Sequence, residues 1–101
     1  MSPNHCVEVA SFKLKSGVSD EQLLALESRI RQGAIAQQVG FISRELCKDQ
    51  ATDTWLMIMR FDTRSHMDAW LAHLKTVPEM KEMAELLDMS TMQMHFYQSM
   101  Y

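Results

Sequence analysis

The sequence predicts an α+β fold in which one antiparallel sheet carries helices on a single face. The alternation of strand-like and helix-like segments, one strand that is apolar on both faces, and a composition suited to one domain lead to it. With 101 residues, 47% hydrophobic and 23% charged, residues 1–101 match a single globular domain and are too apolar to stay disordered. Three glycines and two prolines exclude a collagen-like or low-complexity chain. No apolar run approaches the ~20 residues that span a bilayer, so a membrane role is not expected. A formal net charge of −3 without a Lys/Arg cluster argues against nucleic acid as the partner. Met1-Ser2-Pro3-Asn4-His5 has neither the basic nor the apolar region of a secretory signal, which makes the cytoplasm the expected location.

Taken in order, Cys6 to Lys15 is rich in Val, Phe and Leu and stops at Ser16-Gly17, a strand and a turn. Ser19 stands three residues before Gln22 as in a capping box, and Asp20 and Glu21 suit the positive end of a helix. Leu23, Leu26, Ile30 and Ala34 carry an amphipathic helix to about Gln38, with Gly40 as its stop signal. Phe41 to Lys48 and Asp53 to Phe61 read as a hairpin around the polar loop Asp49-Gln50-Ala51-Thr52. Thr63 to Lys75 is a helix with Met67, Trp70, Leu71 and Leu74 on one stripe. Thr76 with Glu79 suggests a second capping box, and Pro78 suits the first turn of a short helix to Leu87. Ser90 to Gln98 alternates again, Met92, Met94 and Phe96 on one side, Thr91, Gln93, His95 and Tyr97 on the other.

This order is a ferredoxin-like βαββαβ sandwich with an extra short helix before the last strand. Helices cover one face, yet Trp55-Leu56-Met57-Ile58-Met59 is apolar at both parities. The second face therefore needs a partner, and a second copy is the simplest one, giving a homodimer through the open sheet face, a dimeric α+β barrel. Cys6 and Cys47 match no zinc spacing and read as two small buried hydrophobes in a reducing compartment. Their strands are not neighbours in this topology, so no disulfide joins them. The ten methionines read mainly as core filler; the other reading is an adaptable apolar pocket.

Three segments carry a resemblance to a known family. Val7-Glu8-Val9-Ala10-Ser11-Phe12-Lys13-Leu14-Lys15-Ser16-Gly17 is similar to its first strand and turn. Gln38-Val39-Gly40-Phe41-Ile42-Ser43 is similar to its "PGF" lead-in to the second strand, with Val39 in the usual Pro position. Trp55 through Arg60-Phe61-Asp62, followed by Ala69-Trp70, is similar to its third strand and helix. Together they resemble the dimeric α+β barrel proteins of the antibiotic biosynthesis monooxygenase (ABM) type. That resemblance implies a homodimer with a sheet–helix pocket in each subunit, used in characterised members for cofactor-free oxygenation of polycyclic phenols or for haem degradation. The Asn, Trp and Tyr of the phenol-oxidising members fall on Met57, Phe61 and Met67 here. Of the Asn, Trp and His of the haem-degrading members, Trp70 matches the Trp, whereas the Asn falls near Ala10 and the axial His near Ala84.

The residues support two functions. One is an enzyme acting on an apolar, aromatic small molecule held by Met57, Phe61, Met67 and Trp70, with polar help from Arg44 or His95 as the candidate catalytic groups. The other is a non-catalytic dimeric ligand binder or stress-related protein whose pocket its own methionines fill. Arg44 is set beside Met57, where it either orients an anionic ligand or stands as an exposed edge-strand charge. His95 is either a proton shuttle or a hydrogen-bonding group in the dimer interface. Glu45 and Arg60 share the open face, as an ion pair or with Glu45 as a buried base. His66 and His73 flank Trp70 on one helix face but stand ~10 Å apart along it, too far to share a metal. No phosphate loop, Rossmann glycine set or Ser-His-Asp order occurs, so no cofactor is expected.

Overall fold

Strand alternation in the first segment becomes β1 (Cys6–Leu14), whose odd and even residues divide cleanly between the two sheet faces. The computed structural model describes residues 4–100. Its further elements are α1 (Asp20–Gly33), a 3₁₀ turn (Ile35–Gln37), β2 (Phe41–Asp49), β3 (Thr54–Phe61), α2 (Arg64–Leu74), α3 (Pro78–Leu86) and β4 (Leu87–Gln98). The four strands form one antiparallel sheet in the order β2-β3-β1-β4. This is the expected ferredoxin-like arrangement, with β1 and β2 apart and both cysteines free.

The capping box at the start of α1 is present. The Ser19 hydroxyl accepts from the Gln22 N–H at 3.2 Å, and the Gln22 side chain accepts from the Ser19 N–H at 2.8 Å. The helix ends earlier than its apolar spacing suggests, at Gly33, and Ile35–Gln37 continues as a 3₁₀ turn. Ile35 still reaches the core, so the apolar rhythm persists after the α-helical hydrogen bonding has stopped. Gly40 does adopt a positive φ of 84°, and a Cβ there would collide with the Asp62 carboxylate and the His66 ring. The backbone and the start of α2 are locked together at that point, since the Asp62 N–H donates to the Gly40 carbonyl at 2.8 Å.

Three local expectations are corrected. The hairpin closes with Asp49 opposite Thr54, so Arg44 lies opposite Met59 rather than Met57. The turn is tightened by the Asp49 carboxylate, which accepts from the Ala51 N–H, and by Asp53 in the left-handed region at φ 57°. Because the register moved by two residues, every side chain kept its face. Thr76 does not cap α3: its hydroxyl donates to the His73 carbonyl at 2.7 Å, and Val77 is the cap residue, with Pro78 in the first turn. Finally, β4 begins at Leu87 and bulges between its pairings with Lys13 and Ser11. There the Thr91 hydroxyl takes the Lys13 N–H at 2.8 Å, interrupting the alternation that would mark the strand's start.

The core lies between sheet and helices. Cys6, Ala10 and Phe12 of β1 and Trp55, Met57, Met59 and Phe61 of β3 face Leu23, Leu26 and Ile30 of α1, Met67 and Trp70 of α2 and Met83 of α3. The other sheet face carries Val7, Val9, Leu56 and Ile58, all half-buried. Cys47 also lies there, exposed rather than buried as expected, because it alternates with the helix-facing Leu46 and Lys48 on an edge strand.

Candidate functional site

Strand parity and helix spacing together leave a gap between sheet and helices. It is a cavity of about 90 Å³ bounded by β1, β2, β3 and β4 below and by α1, α2 and α3 above. Its wall is mostly apolar, and methionine dominates it: Met57 from β3, Met80 and Met83 from α3, Met92 and Met94 from β4. Phe12 and Trp70 add aromatic surface, and Ala10 leaves space where a larger residue would fill it. Three charged residues also reach the wall, Glu8 from β1, Glu27 from α1 and Arg44 from β2.

Two of these neutralise each other. The Arg44 Nε and Nη2 donate to the two carboxylate oxygens of Glu27 at 2.7 and 2.9 Å, a bidentate pair. Arg44 is only 8% exposed, so it is not the solvated edge charge that its strand position suggested. A third donor atom, Nη1, points at the Met59 thioether at 3.6 Å. Glu8 is different. It is 2% exposed, its Oε1 is buried without a hydrogen-bond partner among the described residues, and burial pushes its carboxyl above the ordinary Glu range, against the opposing pull of Arg44 and Arg64.

Of the residues expected to hold a ligand, Met57 and Trp70 line the cavity, whereas Phe61 and Met67 do not. The latter two are wholly buried in solid packing, Phe61 meeting Phe41 edge-on with centroids 5.9 Å apart. Arg44 lines the cavity; His95 does not, being exposed on the opposite sheet face opposite Val9, with its ring tilted against Tyr97. Glu45 is exposed on that face too. His66 pairs with Asp62 at 2.6 Å, and His73 lies against Trp70, outside the cavity.

Glu8 and Glu27 were not singled out from the sequence, although each had a signal. Glu8 occupies an inward position in the series Cys6, Glu8, Ala10, Phe12, and Glu27 falls on the Leu23–Ile30 face of α1. A carboxylate at a core-facing register position needs a buried partner or a proton. Among the described residues no three His, Cys, Asp or Glu side chains converge to hold a metal ion, and no helix is long and apolar enough to cross a membrane. Among the described residues the cavity wall carries no histidine, and Ala84, where the resemblance puts a haem ligand, is exposed on α3; these residues do not fit haem.

The family model for antibiotic biosynthesis monooxygenase matches residues 6–86. No curated protein matches the sequence significantly. Among solved structures, SnoaB, a cofactor-independent oxygenase from Streptomyces nogalater, superposes with a TM-score of 0.78 at 16% identity, covering 93% of this chain and 91% of that one. A conserved protein from Methanosarcina mazei Go1 gives 0.73 at 14% identity, over 95% and 93% of the two chains. Protein SO0527 from Shewanella oneidensis gives 0.69 at 21% identity, over 96% and 92%. Identities this low carry the fold and nothing finer.

Proposed function

The chain belongs to the antibiotic biosynthesis monooxygenase family, and from that premise we propose that it binds an apolar, aromatic small molecule between sheet and helices and oxygenates it without a cofactor. The observation that carries this reading is the methionine-lined cavity bounded by Trp70 and Phe12. Thioether edges accept aromatic rings of varied shape, and the unbranched side chains can swing to enlarge the space. At about 90 Å³ the cavity is smaller than the roughly 300–1,000 Å³ of drug-sized sites. It is also below the about 150 Å³ of a dry protein cavity that binds benzene, so a single ring enters only as the methionine side chains swing aside. In such a reaction the substrate gives up two hydrogens and gains one oxygen atom, and the second atom of dioxygen leaves as water. The protein's part is shape and exclusion of water. What supports the reaction class is the family model for antibiotic biosynthesis monooxygenase over residues 6–86; SnoaB, a cofactor-independent oxygenase, shares the fold.

The same reading includes a homodimer joined through the open sheet face, one domain per chain. Val7, Val9, Leu56 and Ile58 form an apolar strip on the two central strands of that face, which a second copy would cover. His95 and Tyr97 border the strip from β4 and would hydrogen-bond across it. A non-catalytic binder is the second reading, favoured by the mutual neutralisation of Arg44 and Glu27 and by the apolar Met57, Phe61 and Met67 at the positions of the family's polar pocket groups.

Native mass spectrometry of the protein as purified tests the assembly and the occupant together. Two chains with a discrete adduct support the dimer and the ligand site, and a monomer removes the dimer. Protein-dependent incorporation of labelled dioxygen into that adduct supports the enzyme; an adduct bound and released unchanged under dioxygen supports the binder.

A further inference from the structure

Glu8 is the one cavity-wall charge that the structure leaves unanswered among the described residues. It sits on β1 with Met59 opposite on one side and Phe96 on the other, and its Oε1 is buried with no partner. The two arginines nearest in effect are both committed elsewhere. Arg44 holds Glu27 in a bidentate pair, and Arg64 donates to Asp68 at 2.8 Å while its guanidinium lies 4.2 Å from the centroid of Phe96. A carboxyl in apolar surroundings without a counter-ion avoids charge by keeping its proton, and a protonated carboxyl both donates and accepts hydrogen bonds.

We propose that Glu8 is the recognition group of this cavity, hydrogen-bonding the hydroxyl of a neutral aromatic ligand about one ring in size. This rests on the reading of the cavity as a ligand site. Charge decides against an anion. Arg44 is already compensated by Glu27, so a ligand carboxylate would bring an uncompensated negative charge beside Glu8. That reverses the expectation that Arg44 orients an anionic ligand. Shape favours a ring, since Trp70, Phe12 and the methionine thioethers offer faces and edges to a flat apolar body. The hydroxyl then meets the Glu8 carboxyl on the cavity wall, whose Oε1 has no partner among the described residues and which an unsubstituted hydrocarbon would leave unanswered.

Calorimetric titration with phenol, toluene and benzoate tests this on the intact protein, on Glu8→Gln and on Glu8→Leu. The wild type binds phenol and toluene and rejects benzoate. The ratio of phenol to toluene affinity falls by about tenfold in Glu8→Leu and stays near the wild-type value in Glu8→Gln, whose amide still hydrogen-bonds. Continued toluene binding by Glu8→Leu shows that the variant is folded with its cavity intact. An unchanged ratio in Glu8→Leu overturns the role of Glu8 while leaving the ligand site standing. Benzoate bound as tightly as phenol overturns the charge argument. If none of the three binds the wild type, the cavity reading fails and this inference fails with it.

Discussion

The two ends of the layer between sheet and helices are built from the same residue types and behave differently. At one end Phe61, Met67 and Ile35 are wholly buried, and Phe61 interlocks with Phe41. At the other end Met57, Met83 and Met92 surround a cavity, and Met94 at its margin is 46% exposed. Both ends are apolar and both are rich in methionine, so composition does not separate them. What differs is the fit: at the solid end Gly40 brings the start of β2 against Asp62 and His66, and the Phe41–Phe61 pair closes the space beneath α2. The open end is roofed by α3 together with Leu23 and Glu27 of α1 and Trp70 and Leu74 of α2. There α3 is tied to α1 by Arg29–Glu82 and to the end of β1 by the Lys15 N–H on the Leu86 carbonyl, and the wall is methionine. Unbranched methionine side chains along that wall, in place of interlocked phenylalanines, are where a ligand can be admitted at low cost.

The largest expected effect comes from the solid end. Phe61→Ala should lower unfolding free energy by about 3–5 kcal/mol, because locked neighbours cannot collapse into the space. Urea denaturation reads it directly; a loss below about 1 kcal/mol would mean this end is no tighter than the other. Next is the polar wall of the cavity. Arg44→Met strands the buried Glu27 carboxylate and should cost about 3 kcal/mol, whereas Glu27→Leu with Arg44→Met should return to within about 1 kcal/mol of wild type. A double variant as unstable as the single one would show that the pair contributes more than mutual neutralisation.

A smaller effect sharpens the contrast between two methionines. Met67→Phe adds volume to solid packing and should cost about 1–3 kcal/mol by strain. Met83→Phe directs the added volume into the cavity and should be close to neutral, within about 0.5 kcal/mol, while reducing affinity for any one-ring ligand. Equal losses at the two positions would erase the distinction between the ends.

Much of the framework was legible in the sequence. The strands and their order were readable, and the pairing error in the hairpin cost nothing because a shift of two residues keeps Arg44 and Met57 on the helix side and Glu45 and Ile58 on the other. The cavity was not legible in the same way. Phe61, Met67, Met57 and Trp70 all occupy core-facing positions, and only Met57 and Trp70 border the void. Whether a core position packs solidly depends on how helices tilt and brace, which periodicity does not encode. Arg44 could be read either as a cation orienting a ligand or as an exposed edge-strand charge; its partner Glu27 lies on another element, and strand pattern alone does not show that pairing. Glu8 is legible as a carboxylate out of place among Cys6, Ala10 and Phe12, but whether it has a partner depends on side chains from other elements, which β1 alone does not encode.

The smallest expected effect concerns that same residue and is a matter of sign. Burial raises the Glu8 carboxyl above its ordinary value of 4.5, so over the window from 4.5 up to the raised value the unfolded chain has lost the proton that the folded chain keeps. The folded state binds more protons there, and stability falls as pH rises through the window, then levels once both states are ionised. Asp62 runs the other way. Its hydrogen bond from His66 holds it below its ordinary 3.8, so its contribution is present at higher pH and fades as pH falls through the lowered value. Urea midpoints of wild type and Glu8→Gln, compared from about pH 4 to about pH 8, isolate the first slope, because Gln cannot ionise. The variant should gain on the wild type as pH rises. Parallel profiles would mean that Glu8 ionises alike in both states and that its surroundings at the open end are wetter than its burial implies.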